Sequence, residues 1–243
     1  MDVWLSRHLP ELSRSRIQSL IKSGHITADG RHVQAHEKVT KGKEVDVEIP
    51  LDMPAEPIGE DIPLDTLYED SDIIVINKPA GMVVCPAAGH TSGTLVNALL
   101  YHCSDFAGIG NKLRPGIVHR LDRDTSGALV AAKNERSMKN LVSQFKNRQV
   151  HKEDLAIVHG APSPDAGRIE TLIGRSAHDR KKMSVRPDSG RTAITSYKVV
   201  ETFAGACLVR IKIETGRTHQ IRVHMAHIGH PVVGDRQYGS RKA

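Results

Sequence analysis

The string His119-Arg120-Leu121-Asp122-Arg123-Asp124-Thr125-Ser126-Gly127 separates two apolar segments and imposes a loop between them. Pro115-Gly116-Ile117-Val118 reads as a turn and short strand leading in, and Ala128-Leu129-Val130-Ala131-Ala132 as a buried strand leading out. Thr125-Ser126-Gly127 supplies small, tight-turning residues. The loop sets one carboxylate, Asp122, between Arg120 and Arg123. A cationic surround favours an ionised carboxylate. An acidic side chain on a loop between core strands is where chemistry usually sits. A lone Arg-x-Asp would be an ordinary surface ion pair, and the length of this string argues for more.

A second dense segment runs from Glu214 through Thr215-Gly216-Arg217-Thr218-His219-Gln220-Ile221-Arg222 to Pro231. Gly216 is suited to end a strand and Thr218 to cap a helix, on which Ile221, Met225 and Ile228 share one face. His219, His224, His227 and His230 fall only partly on one face, and no His-Glu-x-x-His or cysteine pair accompanies them, so no metal is expected. Arg175 to Arg191 reads as a basic loop or ribbon, in which Arg175, Arg180, Lys181, Lys182, Arg186 and Arg191 outnumber two acids. Such a ribbon suits screening of nucleic-acid phosphates.

The first 49 residues form a separate small unit. Val3, Leu5, Leu9 and Leu12 sketch an amphipathic helix. Ser13 is a plausible cap for a second helix, Arg14 to Ser23, closed by Gly24. Ile26-Thr27-Ala28 reads as a strand, Asp29-Gly30 as a hairpin turn, and the alternation from Glu44 to Ile49 as a half-buried strand. Residues 50–64, with Pro50, Pro54, Pro57 and Pro63 among acids, read as an extended linker. The second domain, 65–243, opens with a strand over Asp72–Ile76 and a turn over Asn77–Gly81. Helices are expected at Leu95–Cys103 and Ser137–Asn147, and strands at Lys152–His159 and Ala206–Glu214.

Net charge is +6, with a pI near 9.3, which makes nucleic acid a plausible partner. Aromatics are only 3%, against a surface that stacks many bases. Cys85, Cys103 and Cys207 are distant and odd in number, as in a reducing compartment. No apolar run approaches a membrane span, and no signal peptide opens the chain, so a cytoplasmic protein is expected.

The loop of Asp122 resembles the catalytic loop of the RluA-type pseudouridine synthases, enzymes that isomerise uridine in RNA. The resemblance implies that Asp122 is the nucleophile, that Arg222 of Gln220-Ile221-Arg222 pairs with it, and that Arg120 fills the space left by an extruded base or holds the flipped strand. It further implies substrate contacts for His119, Arg123, Thr125, Asp154, Arg217, His219 and Gln220. The fold expected is α+β: a pseudouridine synthase domain on a mainly antiparallel mixed sheet with flanking helices, plus a small N-terminal α/β RNA-binding module. That module is similar to one named after a small-subunit ribosomal protein, which points Arg14, Arg16 and Lys22 at RNA phosphates, together with Arg175, Arg180, Lys181 and Lys182 of the basic ribbon. RNA, ribosomal RNA first, is the expected partner of a monomer that uses no cofactor, metal or membrane.

The chain departs from the family at two places. Val150 to Gly160 matches a motif in which a tyrosine packs on the target base, but Asp154 stands there, and Tyr68, Tyr101, Tyr197 and Tyr238 sit in segments unrelated to it. Family members also continue well past Gly234–Gly239, so the catalytic domain is expected to be short at its C-terminal end, which would expose an edge or leave part of its core unfilled and lower its stability. Both departures favour an alternative: a catalytically impaired RNA-binding or ribosome-assembly factor on the same fold. A weaker third reading is a hydrolase using Asp122 on another substrate.

Overall fold

A computed structural model describes residues 1–49, 56–87, 90–104, 106, 108–177, 179, 182–186 and 188–239. The chain divides into two compact units, Met1–Glu56 and Pro57–Ala243.

In the first unit, helices α1 (Asp2–His8) and α2 (Arg14–Lys22) pack on a small antiparallel sheet of β1 (Ile26–Ala28), β2 (Arg31–His32) and β3 (Val45–Val47), ordered β2-β1-β3. Ser13 caps α2 by accepting the N–H of Arg16, and Gly24 follows the helix at φ +82°. Asp29 and Gly30, both at positive φ, turn the chain between paired Ala28 and Arg31. Leu5, Leu12, Ile17, Leu20, Ile21 and Ile26 make the core. Each such side chain contributes about 1.5–3 kcal/mol relative to exposure. The first helix is shorter than its apolar pattern suggests. Pro10 disfavours helical geometry at the preceding Leu9, where φ is −124°. Val3 lies outside the core, and Trp4 stacks on His8 at the surface.

The second unit begins with β4 (Thr66–Glu69), β5 (Ile73–Lys78) and α3 (Leu95–His102). Short β6 (Gly110–Asn111) and β7 (Arg114–Pro115) precede β8 (Gly127–Ala132), α4 (Glu135–Lys146) and β9 (Asp154–His159). Then come β10 (Ala166–Arg175), β11 (Met183–Val185), β12 (Arg191–Phe203), β13 (Ala206–Ile213) and α5 (Gln220–His227). A five-stranded sheet runs β11-β10-β12-β13-β9 and a three-stranded sheet β4-β5-β8. Every strand pairing among the described residues is antiparallel. Ile74, Ile76, Leu95, Leu99, Phe106 and Leu129 fill one core. Val158, Cys207, Val209, Ile211 and Met225 fill another, with Ile221 and Ile228 packed beside Met225 as their spacing predicts.

Part of the segment expected as a linker packs with the second unit. Residues 57–64 belong to the second unit: Glu60 donates its N–H to Asn97 O at 2.9 Å, and Asn97 Nδ2 donates to Ile58 O at 2.8 Å. Pro50, Asp52 and Pro54 lie outside the described residues. α4 starts earlier than expected because Asn134 and Ser137 form a capping box. Among the described residues, no helix is long and apolar enough to cross a membrane.

Candidate active site

The loop carrying Asp122 is bolted down on three sides. Its own turn closes with the Thr125 N–H donating to Asp122 O at 3.1 Å. His119 accepts the Val130 N–H on Nε2 at 3.1 Å and stacks on the Phe145 ring, centroids 4.8 Å apart. Burial, helped by Lys152, pushes the His119 imidazole down to about 4, so it is neutral at pH 7. Beneath the loop lies Lys78, wholly buried. Its Nζ donates to Pro79 O at 2.7 Å, Met82 O at 2.9 Å and Arg123 O at 3.1 Å. The Gly81 N–H donates to the same Arg123 carbonyl at 2.8 Å. Three carbonyls around one ammonium satisfy a cation that would otherwise be costly to bury. Leu121 packs into the core below, leaving Asp122 half-buried and Arg120 exposed beside it.

Across the site, α5 presents Arg222. Its Nε and Nη2 grip Asp235 at 2.7 and 2.9 Å, and Nη2 also reaches Gln237 Oε1 at 3.1 Å. The third nitrogen, Nη1, lies 3.7 Å from Asp122 Oδ2. The guanidinium is therefore shared between Asp122 and Asp235, with the closer grip on Asp235. Burial raises the Asp235 pKa, but Arg222 and the N–H groups of Gln237 and Tyr238 outweigh it and hold this carboxyl below its usual range. The Arg222 guanidinium also sits over the Tyr238 ring at 4.8 Å.

Other expectations need correction. Gln220 is buried and its amide is saturated: it donates to Ile194 O and the Thr195 hydroxyl and accepts from Thr215 and the Arg217 N–H. It shapes the start of α5 and has no capacity left for substrate. Thr218 is not the cap of that helix; His219 is, at φ +56°. Arg217 donates through Nε to Thr192 O. Arg123 is turned to the surface and paired with Asp124 through two hydrogen bonds. Tyr238, thought unrelated to the site, is part of it. Asp154 lies half-buried on β9, with no hydrogen bond or ion pair to its carboxylate among the described residues. Burial pushes its carboxyl up, with Lys152 opposing.

The histidines of α5 go separate ways. His224 is wholly buried between the Thr171 and Thr195 hydroxyls, and His230 bonds His159 O. Glu69, His102 and Cys103 do offer ligand atoms within 4.8 Å of one another, but Glu69 already bonds Lys133 and His102.

The basic ribbon is the hairpin of β10 and β11, with Arg175 at the end of β10 and Lys182 just before β11; Arg180 and Lys181 lie outside the described residues. In the first unit Arg14 donates to Asp2, while Lys22 is exposed at the end of α2. The Arg16 Nε is buried without a hydrogen-bond partner. Hollows of about 440 and 430 Å³ in this unit are lined partly by Arg7, Arg14 and Lys38 and by Arg31 and Lys43.

Lys78, Asp235 and Tyr238 are the site residues that sequence reasoning missed. Lys78 follows Ile74 and Ile76 by twos, which already puts it on the inner face of β5. For Asp235 and Tyr238 only the fold brings the parts together.

A half-open carboxylate on a clamped loop, faced by a shared guanidinium, has the chemistry of a nucleophile or a base in a cationic setting. Residues 72–227 match the family model described as RNA pseudouridylate synthase. The chain belongs to that family. It is of the RluA type and is an isomerase that converts uridine to pseudouridine in RNA. Residues 1–45 match the S4 domain model. The chain is 46% identical over 242 residues to the uncharacterized RNA pseudouridine synthase YlyB of Bacillus subtilis (strain 168), covering 100% of this chain and 80% of that one. It is 46% identical over 241 residues to ribosomal large subunit pseudouridine synthase D of Pseudomonas aeruginosa, covering 99% and 74%. The solved structure of human RNA Pseudouridylate Synthase Domain Containing 1 superposes with a TM-score of 0.60 at 32% identity, covering 75% of this chain and 72% of the other.

Proposed function

We propose that this pseudouridine synthase modifies large-subunit ribosomal RNA in the cytoplasm, as a monomer without metal, with Asp122 as the reacting group. The observation that carries the reading is the Asp122 carboxylate 3.7 Å from Arg222 on a loop fixed by Lys78 and His119. The target specificity follows the name of the Pseudomonas relative. The uridine must leave its stack to reach that carboxylate. Arg120, exposed beside Asp122, would fill the gap, and Lys22, Arg175 and Lys182 would hold phosphates. Isomerisation breaks N1–C1′, turns the uracil, forms C5–C1′ and releases the C5 proton. Atoms and electrons balance, so no redox cofactor or energy donor is required. Asp122 either attacks the sugar or withdraws a sugar proton.

The test is tritium release from a C5-tritiated transcript of large-subunit ribosomal RNA. Wild type releases label and Asp122→Asn loses at least about a thousandfold, the scale of removing a reacting group. Full turnover by Asp122→Asn overturns the reading. Asp154 favours a second one, an RNA-binding assembly factor with little turnover, for which wild type would bind the transcript and release no tritium.

A further inference from the structure

His219 is held in a way that helix formation does not need. It begins α5 from the left-handed region at φ +56°, rare for a residue with a side chain, and its ring caps no helix N–H. Strain of this kind persists where the surroundings enforce it, often at functional sites. Here the enforcement is Tyr238: its hydroxyl lies 2.7 Å from His219 Nδ1, and the two rings meet edge to face at 5.6 Å. The Tyr238 oxygen also accepts the Met183 N–H at 2.8 Å. With that acceptance made, the phenol has its own proton to give, and Nδ1 is the acceptor in reach. A neutral imidazole that accepts on Nδ1 carries its proton on Nε2.

We propose that Tyr238 is a positioning residue that fixes His219 as the neutral Nε2–H tautomer, and that His219 donates this N–H to an oxygen of the extruded uridine beside Asp122. The proposal rests on the reading of Asp122 given above. The charges around His219 are Asp122, Arg222, Asp235 and Arg120, two of each sign. Burial keeps the imidazole below its ordinary value, ahead of all four charges, so it stays neutral at working pH. His219 is only half-buried, which leaves one side of the ring open to a ligand. A donor already aimed and already neutral stabilises charge growing on a substrate oxygen without reorganising at the moment of reaction. It also excludes His219 as the acceptor of the C5 proton, since its free nitrogen is engaged by Tyr238.

Long-range proton–nitrogen NMR correlation on the unaltered protein reads the tautomer directly, without activity. The expected spectrum has a protonated Nε2 and a bare Nδ1; a protonated Nδ1 overturns the proposal. Tritium release then tests the consequence. Tyr238→Phe is expected to lower kcat about tenfold with KM held. His219→Ala is expected to lower kcat about a hundredfold, as for loss of one aimed donor. His219→Gln, whose amide donates without a tautomer to set, should recover most of that loss, and Tyr238→Phe added to it should cost no more. Equal losses from Tyr238→Phe in both backgrounds would overturn the proposal. Full turnover by Asp122→Asn would instead overturn the reading of the site, whatever tautomer is seen.

Discussion

Arg222 gives its two closest ion-pair contacts to Asp235, at 2.7 and 2.9 Å, and only its third nitrogen faces the Asp122 carboxylate. Asp235 therefore decides where the guanidinium points. Asp235→Ala is expected to cut kcat by about 10- to 100-fold in the tritium assay, by letting Arg222 collapse onto Asp122. It should also lower the urea midpoint, because Arg222 exchanges two short contacts for a more distant one with Asp122. Asp235 titrates below its usual range when folded, so its contribution is present above the unfolded carboxyl value and fades as pH falls through the folded one.

Removing the buried ammonium should be worse for folding than for binding. Lys78→Met leaves the carbonyls of Pro79, Met82 and Arg123 without that donor. The Arg123 carbonyl keeps the Gly81 N–H, so two carbonyls are left unsatisfied, and at about 1–3 kcal/mol for each a loss of at least about 2 kcal/mol is expected by urea unfolding.

Acid should weaken the protein through two histidines. Burial pushes His119 and His224 down to about 4, against an ordinary value of 6.5. Between those values the unfolded chain binds protons that the folded chain refuses, so stability falls as pH drops from 6.5 towards 4. The slope has a ceiling of about 1.4 kcal/mol per pH unit for each group. Urea midpoints across this range check it, and His224→Gln should flatten part of the fall.

The hairpin of β10 and β11 should act on RNA through charge alone. Lys182→Ala is expected to weaken transcript binding and reduce the slope of log K against log salt by about 0.7–0.9, the signature of one lost phosphate contact. An unchanged slope would remove Lys182 from the interface.

Asp154 places a carboxylate on the sheet face that carries Val158 and pairs it across the ladder with wholly buried Ile211. Asp154→Tyr is expected to raise both the tritium-release rate and the urea midpoint, since it replaces a desolvated charge with a ring able to pack on a base. A fall in the rate would show that the carboxylate itself takes part.

Much of this architecture was legible in the chain because the signals were local. Ser13, Gly24 and the Asp29-Gly30 pair each announce one backbone event, and each occurs where the residue stands. The Asp122 loop was readable for the same reason. Gln220 was misjudged because a polar residue beside Arg222 looks available, and only the fold shows its amide filled by Thr215, Thr195 and backbone groups. Tyr238 was misjudged because its partners, Met183 and His219, lie 55 and 19 residues away. Long-range pairs of that kind leave no periodicity to detect.

Lys78 ties the Asp122 loop to the innermost strand of its sheet through the Arg123 carbonyl. The Gly81 amide, which donates to the Arg123 carbonyl, should exchange with solvent only when that contact opens. On the proposed reading of Asp122, substrate entry falls to the RNA, whose nucleotide would be everted toward a loop held in place beforehand.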